Sequence, residues 1–309
     1  MTNTVRHIIT AVVITLVLFF SGIFVLAASV PVFYLFAVYG RKTGWYAALA
    51  LFLTATIGMF SGYLDSVSAL YFVYFWMIAV VLGEAVARHY DLIKVVTLAT
   101  LVHVIVGAVI MIVSQFGFGV PLFDTIRFYL SGAMDDVLKM QETIASLSSP
   151  QIAYLQQNKE EIVNFMMRVI PSTTVLFGML VVSLSLLLTR SFGKKFHVLR
   201  YFGNVLARPF PFWPVWVTIT CGLAFFLNVY LVHNVVLKYV AVNGLIICAG
   251  IFFIQGCFVI SFWLHKGRSP FIRLLVYGLI IAFLQIVGIF IVALGLSDQW
   301  LGFRKKIQS

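Results

Sequence analysis

Runs of about twenty almost wholly apolar residues recur along this chain, and each is long enough to cross a bilayer's hydrocarbon core as an α-helix. They lie near Ile8–Ala28, Trp45–Tyr63, Val67–Ala87, Val95–Ser114, Val169–Thr189, Val215–Val232, Val242–Leu264 and Leu274–Leu296. In lipid a lone spanning segment must satisfy its own backbone hydrogen bonds, so each run reads as a helix. The expected fold is all-α: a polytopic transmembrane helical bundle of about eight spans. Composition excludes the soluble alternative, since 62% of the residues are hydrophobic and only 10% charged, against about a quarter charged in a soluble domain.

The net charge of +11 does not point to nucleic acid, because the basic residues sit in short loops between apolar runs rather than along one face of a domain. That distribution sets membrane orientation, and its natural counterpart is anionic lipid. Arg41, Lys42, Arg88, Lys94, Arg190, Lys194, Lys195, Arg200, Arg208, Lys266, Arg268 and Arg273 fall on one side if the spans are simple crossings, which makes that side cytoplasmic. Arg304, Lys305 and Lys306 then fall on the other side, against the scheme. The first run follows a short basic start (Arg6) without a cleavage-type polar region, and reads as a retained span. Pro31–Gly40 is too short to cross alone; a kinked extension, a re-entrant piece and a short crossing all remain open.

These boundaries divide the chain into N-terminal spans (1–114), a long segment (115–168) and C-terminal spans with a basic tail (169–309). The long segment holds Asp124, Asp135, Asp136, Glu142, Glu160 and Glu161, six of the ten acidic residues. Leu122, Ile126, Leu130, Met134, Val137, Ile144 and Leu147 recur in it at near-helical spacing, which predicts an amphipathic helix on the extracytoplasmic side. Ser148, Ser149 and Pro150 read as a stop and restart, with Ser149 as N-cap and Pro150 at the first helical position.

Polar groups are costly in lipid, so those inside spans are the candidates for a site. His103 lies mid-span, where a neutral imidazole can bind a ligand, relay a proton or bond to a neighbouring helix. Asn228, His233 and Asn234 gather at the end of the sixth span, with Asn243 across a short loop; they can line a pocket mouth or cap helix ends. Gln255 and Gln285 sit deeper and can meet across a helix pair or contact a solute. Glu84, one turn before Arg88, reads as a local ion pair. Gly58 and Gly62 form a GxxxG pattern, and Gly244, Gly250, Gly256, Gly278 and Gly288 add smooth positions for helix packing. The run from Arg208 to Trp216, rich in Pro and aromatics, reads as an anchor where the chain enters the membrane.

Cys221, Cys248 and Cys257 show no zinc spacing and read as packing residues. HExxH, Walker A, GxSxG and paired intramembrane aspartates are all absent from the sequence. The expectation is a non-enzyme without cofactor or metal, and an ATP-driven role requires a separate ATPase.

Ala293-Leu-Gly-Leu-Ser-Asp298-Gln-Trp300-Leu-Gly-Phe-Arg304-Lys-Lys closes the last run. This ending resembles that of the YybS-like family of uncharacterised bacterial multi-pass membrane proteins, and the aromatic-proline run before the sixth span, the Gln255-Gly256 pair and the long segment before the fifth span agree in layout. That family is similar in turn to the substrate-binding subunits of energy-coupling-factor transporters. The resemblance implies a bacterial inner (cytoplasmic) membrane protein that binds a small solute and works with a partner membrane protein and a separate ATPase. Membrane scaffolding without transport is the competing reading. Within the motif itself, Asp298 and Arg304 are expected to pair and tie the last helix to its tail, with Trp300 between them.

Overall fold

In a computed structural model the described residues are 3–117, 119, 121–144, 150–192, 210–265 and 269–304. They form twelve helices: α1 Asn3–Phe20, α2 Val30–Tyr39, α3 Arg41–Phe60, α4 Ser66–Ala87, α5 Leu92–Gly117, α6 Leu122–Ile144, α7 Pro150–Gln157, α8 Lys159–Phe192, α9 Trp213–Leu227, α10 Val235–His265, α11 Pro270–Ala282 and α12 Leu284–Leu301. Eight of them, counting α9 with the π-helical turn Asn228–Val232 that continues it, are long and apolar enough to span a bilayer. The polytopic helical fold is therefore as expected. The chain forms two compact units: the first holds residues 1–170 and 177–203, the second 171–176 and 204–309.

Unit 1 is organised around α2. This helix covers only about 15 Å at ~1.5 Å per residue, half of a hydrocarbon core of about 30 Å. Val30, Val32, Phe33, Leu35 and Phe36 are all buried, as a helix apolar on every side requires. Phe36 fills a notch between α3 and α4, since a Cβ on either Gly44 or Gly83 would collide with its ring. The expected first span through Ala28 is corrected, because α1 stops at Phe20. There Ser21 donates to the Leu18 carbonyl and accepts from the Phe24 amide (2.7 and 3.0 Å), which diverts the backbone out of the helix.

In the 115–168 segment, α6, α7 and the start of α8 pack together as a helical hairpin. Met134 and Leu138 of α6 pack on Leu155 of α7 and Ile162 of α8, and Lys159 donates to both oxygens of Asp135 at 2.7 and 2.8 Å. Pro150 opens α7 as expected; Ser149 lies outside the described residues. The fifth span begins within α8 near Lys159, earlier than its expected start at Val169.

In unit 2 the expected last span, Leu274–Leu296, is corrected. Phe283 (φ −112°, ψ 27°) breaks it into α11 and α12. Cys248 and Phe252 of α10 pack with Val292 and Leu296 of α12. Gln255 meets Gln299, and Trp263 meets Phe303. These contacts advance together, so α12 runs in the same direction as α10. Its end lies where α9 begins, with Gln299 donating to the Pro211 carbonyl (3.4 Å) and Trp300 edge-on to Phe212 (6.0 Å). Arg304 therefore lies at the end of unit 2 where α10 ends and α9 begins, and not at the opposite end as the simple-crossing scheme has it.

Backbone contact between α10 and α12 is made at Gly256 and Gly295. A Cβ on Gly295 would run into the Phe252 carbonyl and come within 2.7 Å of the Gly256 nitrogen; one on Gly256 would strike the Ile291 carbonyl. Gly58 and Gly62 do not play this part. Gly58 touches only Leu64, just beyond its own helix, and Gly62 takes φ +77° in the turn after α3 with nothing near its missing Cβ.

Two outcomes follow. Gly295→Ala should destabilise the protein by about 1–3 kcal/mol through overpacking, while Gly278→Ala, with open space at its Cβ, should be neutral or mildly stabilising; unfolding in detergent measures both. With the native cysteines replaced, Ser269→Cys and Leu301→Cys should react with an impermeant thiol reagent from the same side of the membrane, and His233→Cys from the opposite side.

Candidate functional site

The densest buried polar cluster among the described residues lies in unit 2 at the end of α12. Gly302, in the left-handed region (φ 56°), terminates that helix, and the next two residues fold back so that Arg304 reaches Asp298. Arg304 Nη2 and Nε donate to Asp298 Oδ2 at 2.6 and 3.1 Å. Gln255 Nε2 donates to the same oxygen at 3.1 Å, and Gln299 Nε2 donates to Gln255 Oε1 at 2.7 Å. Asp298 and Arg304 are each 5% exposed and Gln255 1%. The Arg304 guanidinium also lies 5.8 Å from the centre of the Phe210 ring, a cation–π arrangement. Asp298 Oδ1 is buried and, among the described residues, has no hydrogen-bond partner.

The expected Asp298–Arg304 pair is thus formed, and Gln255 and Gln299 extend it into a network. Trp300 is 59% exposed and stands outside the network, against Phe212. Gln285 does not meet Gln255: it is exposed in the first turn of α12, and Gln255 spends its amide on Asp298 and Gln299. Gln299 was not singled out from the sequence. The signal available for it was its position one residue after Asp298 in the C-terminal motif.

The other candidates make local contacts of their own. His103 is fully buried in unit 1 and hydrogen-bonds the Tyr74 hydroxyl on α4. It lies against Gly178 of α8, where a Cβ would collide with its ring. Asn228 donates to the Asn234 carbonyl (2.6 Å), and Asn234 Oδ1 caps α10 by accepting from the Val236 and Leu237 amides (2.9 and 3.1 Å). His233 is an exposed left-handed residue (φ 52°) that ends the π-helical turn. Asn243 lies farther along α10 and accepts from the Ser172 amide at 2.9 Å. These four asparagine and histidine residues therefore do not converge on one mouth. Glu84 meets Arg88 as expected (3.4 Å), and also Arg41 (2.7 Å) and the Trp45 indole.

One small cavity in unit 1, bordered by Thr15, Phe19, Val32, Phe72 and Trp76, has room for about one water molecule. Among the described residues no group of three or more His, Cys, Asp or Glu is placed to hold a metal ion.

Fold and cluster together define a polytopic α-helical membrane protein with a buried ion pair at the end of its last helix. The chain belongs to the family described as "Predicted membrane protein (DUF2232)", whose profile matches residues 8–299. No curated protein and no solved structure matches it.

Removing one partner of a buried pair strands the other charge. Arg304→Ala should cost about 3–5 kcal/mol. The double variant Asp298→Asn/Arg304→Ala should recover part of that loss, as read from unfolding in detergent.

Proposed function

We propose that the protein is a membrane-embedded subunit that binds or helps to transport a small solute, with no enzymatic activity of its own, in a bacterial cytoplasmic membrane. The observation that supports this most is the pair of short apolar helices, one in each unit. Each carries a proline in its first turn, Pro31 in α2 and Pro270 in α11, and each is followed directly by a spanning helix, α3 or α12. Short, interrupted hydrophobic segments in corresponding positions of two halves are characteristic of transporters, where broken helices free polar backbone groups for a solute. The buried carboxylate of Asp298 near the end of α12 adds to this, because ionisable groups within a span often mark a solute or ion path. The resemblance of the C-terminal motif to YybS-like proteins, and through them to energy-coupling-factor substrate-binding subunits, supports the same reading. It adds a partner membrane protein and a separate ATPase as the source of energy.

A scaffold or assembly role is the second reading. It is favoured by the α6–α7 hairpin, whose Phe128, Tyr129 and Tyr154 are exposed and suited to contact a partner.

Native mass spectrometry of protein extracted from its own membrane should reveal a bound small molecule, and deletion of the protein should lower uptake of one nutrient. No bound molecule together with unchanged uptake would end the solute reading. A protein complex that survives alanine substitution of His103, Asn228, His233 and Gln255 would then support the scaffold.

A further inference from the structure

We propose that the Asp298 site binds a solute bearing a guanidinium or ammonium group, and that Arg304 is its tethered occupant, displaced when the solute loads. This rests on the solute-binding reading and assigns the class of solute.

The chemistry of the cluster carries the inference. A guanidinium free to choose its pose engages a carboxylate with two parallel N–H···O bonds, one to each oxygen. Arg304 instead directs Nε and Nη2 to the same oxygen, Oδ2, and Oδ1 is buried with no donor. The tethered cation is therefore seated on half of its carboxylate, and a free one can engage both oxygens. The Phe210 ring offers a π face to a positive charge at this position. Gln255, held by Gln299, presents its N–H to the carboxylate, so the acceptor stays in place when Arg304 leaves.

Charge selects the class of ligand. With Arg304 seated the buried pair is neutral. With Arg304 withdrawn, a buried carboxylate is left unpaired at a cost of several kcal/mol; a proton or a cation offsets that cost, and only the cation also takes the place of the guanidinium beside Phe210. Withdrawal also leaves α12 intact, because Arg304 lies beyond Gly302, where the helix has already ended.

The test uses the full chain in detergent, with methylguanidinium as probe and methylurea as its neutral counterpart at equal ionic strength. Tens of millimolar methylguanidinium should raise the unfolding temperature of Arg304→Ala by several degrees and that of the wild type by less, since Arg304 competes. Methylurea should do neither, and Asp298→Asn/Arg304→Ala should respond to neither compound. Equal responses of the single and double variants, or of the two compounds, overturn the inference. If Arg304→Ala does not fold, Arg304→Gln, which retains a donor, carries the same comparison, and its failure to respond overturns the inference equally. A native bound solute without a positive charge would overturn this assignment while leaving the transport reading intact. A selective methylguanidinium response without any bound solute or altered uptake would do the reverse.

Discussion

Hydrocarbon offers no hydrogen-bond partner, so a polar side chain inside these spans gains most by finding one in the protein. In unit 1, Ser185 donates to the Val181 carbonyl within α8, which leaves its oxygen to accept from Ser29 at the start of α2 (2.8 Å). His103 joins α5 to α4 through Tyr74. In unit 2, Gln255 joins α10 to α12 through Asp298 and Gln299. Such bonds contribute on average only about 0.6 kcal/mol each, yet a buried polar group left without one costs more, about 1–3 kcal/mol. Their main effect is to select: a helix turned or slid out of register strands a polar group.

Side-chain bridges of this length require close helices, and glycines provide the room. Lipid tails are as apolar as leucine, so helix association in the membrane depends on van der Waals fit. The His103 imidazole occupies the space over Gly178, and the Phe36 ring sits over Gly44 and Gly83. At Gly256 and Gly295 the backbones of α10 and α12 touch. The polar bridge from Gln255 to Asp298 begins one residue from that contact, which holds the two helices at a separation the bridge can cover.

Class and span number were legible in the sequence because length and apolarity act over whole segments and single residues hardly change them. The amphipathic helix and the restart at Pro150 were legible for a similar reason, since periodicity and a proline's missing N–H are local; that α6 folds back on α7 and α8 was not. Asp298 and Arg304 could be paired because they flank one helix end. What depends on a third element was not legible. Tyr74 lies in an apolar run and counts as apolar until a histidine faces it. Gly58 and Gly62 are correctly spaced, but α3 ends between them, and among the described residues only Leu64 approaches the missing Cβ of Gly58. Phe283 has neither proline nor glycine beside it, so nothing local announces the break there.

That break is also what makes the site. Without it, residues 270–301 would form one helix of roughly 48 Å at ~1.5 Å per residue, and Asp298 would end far from Pro211 and Trp263. Because α11 carries the chain away and α12 brings it back alongside α10, Asp298 comes to Gln255 and Arg304 comes to Phe210. The same reversal brings Arg304 to the end of the unit where α9 begins. A short apolar helix and a buried ion pair are thus two consequences of one reversal at Phe283. The polar cluster therefore depends on the topology of the unit, since without the turn at Phe283 its members would not meet.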